Sequence, residues 1–279
     1  MSSIALIASY PKSGNTWVRK FLTAYIKQQP LSEILNDGSI PLVEGQNVFE
    51  MVTNSPFEKD NFERSWGAYC AALGEGKVGT IFKTHLPNGE AGVVPMFPST
   101  TQVVHITRHP LSIVPSLAHY RGLTQAEAFK EMTDRKTTIK SGVQATEITP
   151  DPALWVIPMG SWASHTESWL RNTPRSRLLN IRYEDMLKDT ETEARKIIRF
   201  LRFPYDPDRM AFALSETEFK NLKKVESEQG FAENRARTDG GFFRSGGNEC
   251  YSPSKKELSR LRRKLLPVMR RLGYDELPG

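Results

Sequence analysis

The start of the chain constrains the fold most strongly, because an apolar strand leads through a glycine-containing turn into an amphipathic helix. Ile4 to Ala8 is an unbroken apolar run without helical periodicity, which is typical of a strand buried in a parallel sheet. From Thr16 to Gln28 the apolar residues recur at helical spacing, and Pro30 ends that helix. The sequence therefore predicts a strand–turn–helix unit, the element from which α/β folds are built.

Further strands and helices alternate along the rest of the chain. Short strands are predicted at Gly79–Lys83, Gln102–Thr107 and Arg177–Ile181. Helices are predicted at Phe57–Leu73, from Pro110 onward, and at Ser161–Arg171, Glu191–Leu201, Pro207–Leu214, Glu216–Val225 and Lys255–Leu272. This alternation favours an α/β fold of the three-layer, P-loop-like type, with a central parallel sheet flanked by helices.

Length and composition favour a single domain. The chain has 279 residues, so we expect one domain spanning residues 1–279. The polar segment from about 122 to 158 predicts a flexible lid or insertion. The segment from about 229 to 253, rich in Gly, Asn and Arg, predicts a C-terminal loop. No stretch approaches about 20 apolar residues, and no basic region precedes the short N-terminal apolar run. We therefore expect no membrane span, no signal peptide and a cytoplasmic location.

The charge balance favours a polyanionic ligand over nucleic acid. The net charge is +6, but the sequence has no aromatic–basic repeat and no zinc-ligand spacing. The basic residues between Arg260 and Arg271 fit a solvated helix face as well as a partner surface. Cys70 and Cys250 are far apart and belong to no CxxC motif, so neither a disulfide framework nor a metal site is expected.

The segment Ser9–Trp17, SYPKSGNTW, predicts a phosphate-binding turn. Gly14 allows a sharp backbone bend, and the N–H groups of residues 13–17 would then converge at a helix N-terminus, which attracts anions. The residues that would add a charge or a side-chain donor are Lys12, Ser13, Asn15 and Thr16. A plain strand-to-helix turn with a capping serine is the alternative interpretation.

The residue order distinguishes this turn from the common nucleotide-binding loop. In GxxxxGK[ST] the lysine follows the last glycine, next to the hydroxyl that binds magnesium, whereas Lys12 precedes Gly14. Classical NTPases also hold magnesium with an Asp at the end of another strand, but Gln102–Thr107 leads into Arg108 and His109. The sequence therefore predicts a phosphate site that requires no metal, with a P-loop kinase or NTPase as the alternative.

The YPKSGNTW segment resembles the 5′-phosphosulfate loop of sulfotransferases that use 3′-phosphoadenosine-5′-phosphosulfate (PAPS). Further segments are similar to the family in the same order: FKTHLP at 82–87, Arg108 with Ser116, YEDM at 183–186, TEF at 217–219 and FRSG at 243–246. The resemblance spans residue 4 to about 247. It implies a PAPS-dependent sulfotransferase that releases 3′-phosphoadenosine 5′-phosphate (PAP).

The resemblance also implies the role of each matched residue. His85 would be the general base, Lys12 would stabilise the leaving oxygen, and Lys83 would stabilise the sulfuryl group. The residues implied to bind the nucleotide are Lys12, Ser13, Gly14, Asn15, Thr16, Trp17, Arg108, Ser116, Tyr183, Thr217, Phe219, Arg244, Ser245 and Gly246. Arg108 and Ser116 would hold the 3′-phosphate, and the C-terminal loop from about 229 to 253 would close on the bound nucleotide. Ser245 stands where the family has Lys, and the GxW that usually follows is missing.

The chemistry explains these residue types. A neutral imidazole is available at pH 7 and can take a hydroxyl proton, which contributes roughly 10²–10⁴ in rate. An arginine can bind a phosphate with two donors, and Trp17 and Phe219 would stack on adenine.

Of the other histidines, His105 lies in the middle of a strand and is interpreted as structural. His109, His119 and His165 belong to no motif.

The sequence constrains the identity of the acceptor less than that of the donor nucleotide. The Gly160–Trp162 segment and the polar lid are similar to bacterial sulfotransferases that modify natural products, which implies a small-molecule acceptor with a hydroxyl or an amine. The acceptor pocket would involve segments around 31–60, 86–97 and 120–160. A phenol, an aliphatic alcohol, a sugar and an amine all stay open, as does a homodimer.

Overall fold

The computed structural model describes residues 4–54, 59–73, 80–89, 96–141, 155–234 and 241–274. Its main strands are β1 (Ala5–Ser9), β2 (Ile81–Thr84), β3 (Gln102–Thr107) and β6 (Leu178–Arg182). They form one parallel sheet in the spatial order β2-β1-β3-β6. Strands β4 (Thr138–Ser141) and β5 (Trp155–Pro158) form a separate antiparallel pair. The predicted parallel sheet is confirmed, and each predicted strand lies within two residues of its observed position.

Helices flank the sheet, as predicted. They are α1 (Asn15–Lys27), α2 (Leu31–Ile34), α3 (Gln46–Thr53), α4 (Lys59–Leu73), α5 (Pro110–Arg121), α6 (Gln125–Met132), α7 (Trp162–Asn172), α8 (Tyr183–Lys188), α9 (Thr190–Phe200), α10 (Pro207–Glu216), α11 (Phe219–Gln229), α12 (Lys255–Lys264) and α13 (Leu266–Arg271). None of these helices, which cover only the described ranges, is long and apolar enough to cross a membrane.

The described chain forms two compact units, each assembled from three segments. The first unit contains Met1–Tyr10, Ile40–His105 and Asp134–Leu179. The second unit contains Pro11–Ser39, Ile106–Thr133 and Asn180–Gly279. The single-domain organisation stays a prediction.

The first unit is built around β1 and its parallel neighbour β2. The register pairs Ala5 with Ile81 and ends with Ala8 opposite Thr84, so both strands stop at the same edge of the sheet. Burial of the whole β1 strand agrees with its unbroken apolar sequence. The aromatic residues of its core come from α3, α4, β2 and α7 and the segment before β3: Phe49, Trp66, Tyr69, Phe82, Phe97 and Trp169.

The second unit contains α1, which packs against α2 and α10. The buried apolar residues of α1 are Val18, Phe21, Leu22, Ala24 and Tyr25, which follow the predicted helical spacing. Pro110 occupies the first position of α5, as predicted, where its missing N–H leaves no helical hydrogen bond unmade.

The predicted C-terminal helix is wrong in one respect. Residues 255–272 form two helices, because the chain leaves regular helical geometry at Leu265 and α13 starts at Leu266. Pro267 explains the break, since inside a continuous helix it would lack a backbone donor and its ring would clash with the carbonyl of the preceding turn.

The predicted lid contains regular structure in its described part. Helix α6 begins with a capping box between Thr124 and Glu127, and it buries Ala128, Phe129 and Met132. The antiparallel β4–β5 pair follows, and residues 142–154 lie outside the described residues. The lid function stays a prediction. In the second predicted loop, residues 230–234 and 241–253 contain no helix or strand.

Candidate active site

The turn before α1 has a backbone conformation that strongly constrains its sequence. Lys12 and Gly14 both have positive φ angles, 69° and 102°. A Cβ atom added to Gly14 would lie 2.7 Å from Cδ2 of Tyr183, so both the angle and the space require glycine. Helix α1 begins directly afterwards, and Gly14 offers no side-chain cap for its first N–H groups. The turn therefore presents backbone donors at a helix N-terminus.

Ser13 adds a buried hydroxyl to this turn. Its side chain is fully buried, and Oγ has no hydrogen-bond partner among the described residues. Leaving such a group unsatisfied costs about 1–3 kcal/mol. A ligand that accepts a hydrogen bond at this position would remove that cost, so the turn fits an anion.

Lys12 is held between two aromatic rings. Its Nζ lies 3.6 Å from the ring centroid of Phe242 and 4.7 Å from that of Tyr120. Both distances are within the range of a cation–π interaction. Phe242 is itself anchored through its backbone N–H, which donates to Glu226, and the N–H of Phe243 donates to the same carboxylate at 2.8 Å.

The pKa of Lys12 reflects its burial and the charges around it. Burial lowers this pKa from 10.5 to about 7. The carboxylate of Glu233 opposes the shift, whereas the guanidinium groups of Arg108 and Arg244 add to it. A polyanionic ligand would neutralise this concentration of positive charge.

Arg108 connects the turn to the loop between α11 and α12. It is 8% exposed, and its guanidinium donates to the carbonyl oxygens of Lys12 at 3.1 Å and Gly247 at 2.9 Å. The guanidinium carbon also lies 4.3 Å from the ring centroid of Tyr183. Its buried Nε has no hydrogen-bond partner among the described residues. Arg108 therefore retains a donor for a ligand.

The same loop packs closely on α11. A Cβ atom added to Gly246 would lie 2.5 Å from the ring of Phe219, and the hydroxyl of Tyr183 donates to the Gly246 carbonyl at 3.3 Å. Arg244 donates to the carbonyl oxygen of Pro115 at 3.4 Å. Ser116, which follows Pro115 on α5, is half-buried, whereas Ser245 is exposed.

Trp17 lies on the first turn of α1. Its indole N–H donates to the carbonyl oxygen of Thr217 at 3.0 Å, and its ring stacks on Phe21 with centroids 5.6 Å apart. Thr217 itself is fully buried. One indole face is therefore occupied by Phe21, and stacking on a base stays a prediction for the other face.

Asn15 and Thr16 contact a partly buried ion pair that the sequence did not reveal. Arg19 donates from Nε to the Asn15 amide oxygen at 2.9 Å and from Nη2 to the Thr16 hydroxyl at 3.1 Å. The same Nη2 lies 2.8 Å from the carboxylate of Glu233, which also accepts from Thr16 at 3.4 Å. Arg19 is 4% exposed, so Glu233 balances a buried cation.

In the first unit, His85 follows β2 and contacts the end of β1. Its Nδ1 lies 2.8 Å from the carbonyl oxygen of Ser9 and 3.5 Å from the Ser9 hydroxyl. A carbonyl oxygen can only accept, so Nδ1 carries the proton of the neutral ring. The lone pair is then on Nε2, the arrangement that a general base requires.

Glu44 lies next to His85 and was not predicted. Its Oε1 accepts the backbone N–H of His85 at 3.1 Å, and its side chain is almost completely buried. Burial raises the pKa of Glu44 to about 7, while the hydrogen bond from His85 and the charge of Lys83 act in the opposite direction. Lys83, on β2, is half-buried.

His165 contacts His85 from α7. Its Nε2 lies 3.1 Å from the carbonyl oxygen of His85, so Nε2 carries the His165 proton. His165 is fully buried, and burial lowers its pKa well below the usual value, with His105 and His85 nearby adding to the shift. His165 is therefore a neutral donor. His105, predicted to be structural, is also buried, and it stacks on His165 and Trp169.

The predicted site residues divide between the two units. All fourteen predicted nucleotide-binding residues, from Lys12 to Gly246, belong to the second unit, and Lys83 and His85 belong to the first. Glu44 and His165 were missed because no motif surrounds them. Each is more than 40 residues from His85 in sequence, so only folding brings them together.

Comparison with known proteins identifies the family. A model of the sulfotransferase domain matches residues 3–270. Rat sulfotransferase 1E1 is 24% identical over 227 residues, which are 78% of this chain and 65% of that protein, so the chain spans just under two thirds of this relative's length.

Solved structures agree on the fold. A mouse sulfotransferase, SULT7A1, solved with PAP, is 22% identical, with a TM-score of 0.58 over 96% of this chain and 85% of that one. Retinol dehydratase, solved with retinol and PAP, is 17% identical, with a TM-score of 0.61 over 100% and 83%. At these identities the two structures establish the fold alone.

Proposed function

Since the chain belongs to the sulfotransferase domain family, we propose that it transfers a sulfuryl group from PAPS to a hydroxyl group of a small molecule. One observation carries the proposal. The turn carries Lys12, whose pKa is lowered by the charges of Arg108 and Arg244, and the buried Ser13 hydroxyl of the same turn has no hydrogen-bond partner among the described residues. Such a site suits a ligand with several phosphate charges, and PAPS carries a 3′-phosphate in addition to its 5′-phosphosulfate.

The second unit would bind the donor. Lys12, Ser13 and the N–H groups that follow Gly14 suit the 5′-phosphosulfate, because they combine a cation with helix N-terminal donors. Arg108 and Arg244 suit the 3′-phosphate, and Arg108 has a buried Nε available. Ser116, Ser245 and Gly246 would line the same end of the nucleotide. Trp17, Tyr183, Thr217 and Phe219 would surround the adenosine.

His85 would remove the acceptor proton. In the transfer, the acceptor oxygen forms a bond to sulfur, and the bond between sulfur and the 5′-phosphate oxygen breaks. The phosphate oxygen keeps that electron pair, and Nε2 of His85 takes the hydroxyl proton. The hydrogen bond from Nδ1 to the Ser9 carbonyl keeps the lone pair on Nε2 for this step. Lys83 would balance negative charge on the sulfuryl oxygens.

The ligands bound in two structural neighbours support the proposed ligand classes. The mouse sulfotransferase holds PAP, and retinol dehydratase holds PAP with retinol, an alcohol. These ligands are consistent with a 3′-phosphorylated adenine nucleotide and a hydroxyl acceptor here. The cytoplasmic location, the homodimer and a bacterial natural-product acceptor stay predictions from the sequence.

Binding and turnover together test the proposal. Thermal unfolding should shift upward with PAP, much less with adenosine 5′-phosphate, and not with ATP and magnesium. Transfer from ³⁵S-labelled PAPS would then be measured against phenols, aliphatic alcohols, sugars and amines, with and without EDTA. A thermal shift that requires magnesium and favours ATP would contradict the proposal in favour of a kinase or NTPase. Binding of PAP without transfer to any acceptor class would argue for a non-catalytic relative.

A further inference from the structure

Both backbone polar groups of His85 are held by buried side chains. Glu44 accepts its N–H at 3.1 Å, and His165 donates to its carbonyl oxygen at 3.1 Å. The ring of His85 adds a third contact, from Nδ1 to the Ser9 carbonyl. His85 is the first residue after β2, so these contacts hold the chain where the strand ends.

We propose that His165 is a positioning residue, which holds the His85 carbonyl so that the His85 ring keeps its bond to Ser9 and its Nε2 faces the acceptor. This role rests on the proposed function, in which Nε2 of His85 takes the acceptor proton. His165 acts through His85 and does not touch the reacting atoms.

His165 is itself held in place. It lies on the first turn of α7, where Ser161 and Ser164 form a reciprocal capping box. Its ring meets the edge of Tyr10 with centroids 5.6 Å apart and stacks on His105 at 6.3 Å. A donor fixed by packing on both sides loses little further conformational entropy when it makes its hydrogen bond.

The chemistry of His165 suits a donor and not a second base. Its Nε2 carries a proton because the partner is a carbonyl oxygen, and its Nδ1 has no hydrogen-bond partner among the described residues. Burial keeps the ring neutral, since it lowers the pKa well below the usual value. The donor therefore keeps one form across the pH range in which His85 would work.

Positioning has a measurable consequence for proton transfer. A general base must lie about 2.6–3.2 Å from the proton donor, and a misplacement of about 1 Å can reduce the rate about 10²-fold. Loss of the His165 donor would leave the His85 carbonyl without this contact and allow the loop after β2 to shift. The nucleotide-binding residues would keep their own contacts within the second unit.

Two substitutions of matched size test this role. In His165→Gln the amide reaches about as far as Nε2 and keeps a donor, whereas His165→Met has the same length without one. With PAPS and 2-naphthol as the probe pair, we expect kcat of His165→Met to fall at least about tenfold. His165→Gln should retain most of the wild-type kcat, and KM for PAPS and PAP affinity should stay unchanged in both. Equal losses in the two variants, or a loss confined to KM for PAPS, would overturn the positioning role.

A measurement on the wild-type protein keeps the inference testable if His165→Met does not fold or if no acceptor is turned over. Nitrogen NMR of ¹⁵N-histidine-labelled protein should show a neutral His165 protonated on Nε2 and a neutral His85 protonated on Nδ1. A His165 that carries its proton on Nδ1 would exclude the role. These tautomers do not depend on turnover, so absence of sulfuryl transfer with the expected tautomers would reject the proposed function and leave the hydrogen-bond arrangement standing.

Discussion

His85 donates from its ring Nδ1 to the carbonyl oxygen of Ser9, 2.8 Å away and 76 residues earlier in the chain. Ser9 is the last residue of β1 and His85 directly follows β2, so the parallel pairing of these strands brings the two residues together. A single contact therefore sets the tautomer of the predicted base. The chain continues from Ser9 into the predicted phosphate turn, which begins to bend at Lys12.

Replacing His85 tests the base directly. In His85→Asn the side-chain amide can still donate to Ser9, but nothing replaces Nε2. We expect turnover to fall about 10²- to 10⁴-fold, with PAP affinity and thermal stability close to wild type. Steady-state kinetics measures turnover, titration calorimetry measures PAP affinity, and thermal unfolding measures stability. A variant that turns over at the wild-type rate would exclude His85 as the base.

The low pKa of Lys12 predicts proton uptake on nucleotide binding. At pH 8.5 the free protein, with a Lys12 pKa of about 7, holds this side chain mostly neutral. The phosphate charges favour the protonated form, so binding should take up close to one proton per PAP. Titration calorimetry in buffers of different ionisation enthalpy measures this number. Lys12→Met should abolish the uptake and weaken binding, and buffer-independent heats for the wild type would contradict the prediction.

The same pKa predicts how stability depends on pH. Lys12 has a folded pKa of about 7 and an ordinary value of 10.5, so between these limits the unfolded chain binds more protons than the folded one. The contribution of Lys12 to the free energy of unfolding therefore rises with pH from about 7 to 10.5, and its burial is most unfavourable below pH 7. Without nucleotide, Lys12→Met should gain most stability relative to wild type below pH 7, as measured by denaturant titrations. A difference that does not vary with pH would contradict this.

Arg108 is expected to recognise the 3′-phosphate. Hydrogen bonds to charged groups contribute about 1.5–3 kcal/mol, so Arg108→Ala should weaken PAP binding by roughly 10- to 100-fold. Adenosine 5′-phosphate, which lacks the 3′-phosphate, should be affected much less. Arg195→Ala is a suitable control, because Arg195 is exposed, pairs with Glu191 on the same helix and belongs to no part of the predicted site. Equal losses for both nucleotides would exclude this role.

Gly14 is expected to tolerate no side chain. Gly14→Ala combines a left-handed backbone angle with a Cβ atom 2.7 Å from Tyr183, so we expect a loss of roughly 1–3 kcal/mol in stability and weaker PAP binding. Gly38→Ala is the matched control, since Gly38 also has a positive φ but no atom of the described residues lies within 4 Å of the added Cβ. Denaturant unfolding should show the larger loss for Gly14→Ala. Equal losses of stability in the two variants would mean that the positive φ angle, and not the contact with Tyr183, causes the loss.

The local parts of the fold were predictable from the sequence. The apolar run before Ser9, the glycine turn and the helical spacing after Thr16 each depend on neighbouring residues, and the structure has a strand, turn and helix there. Two local features were not predicted from the sequence. Pro267 divides the C-terminal helix, and the capping box at Thr124 starts a helix within the predicted lid.

The sequence by itself determined the strand–turn–helix unit and the residue types of the predicted site, because backbone preferences, glycine geometry and charge act over a few residues. Only the tertiary structure decided how those residues are held. Glu44 and His165 contact His85 although they lie 41 and 80 residues away in sequence, and Arg108 donates to the carbonyl oxygen of Lys12 across 96 residues. Such contacts depend on the packing of whole strands and helices, which no local pattern encodes.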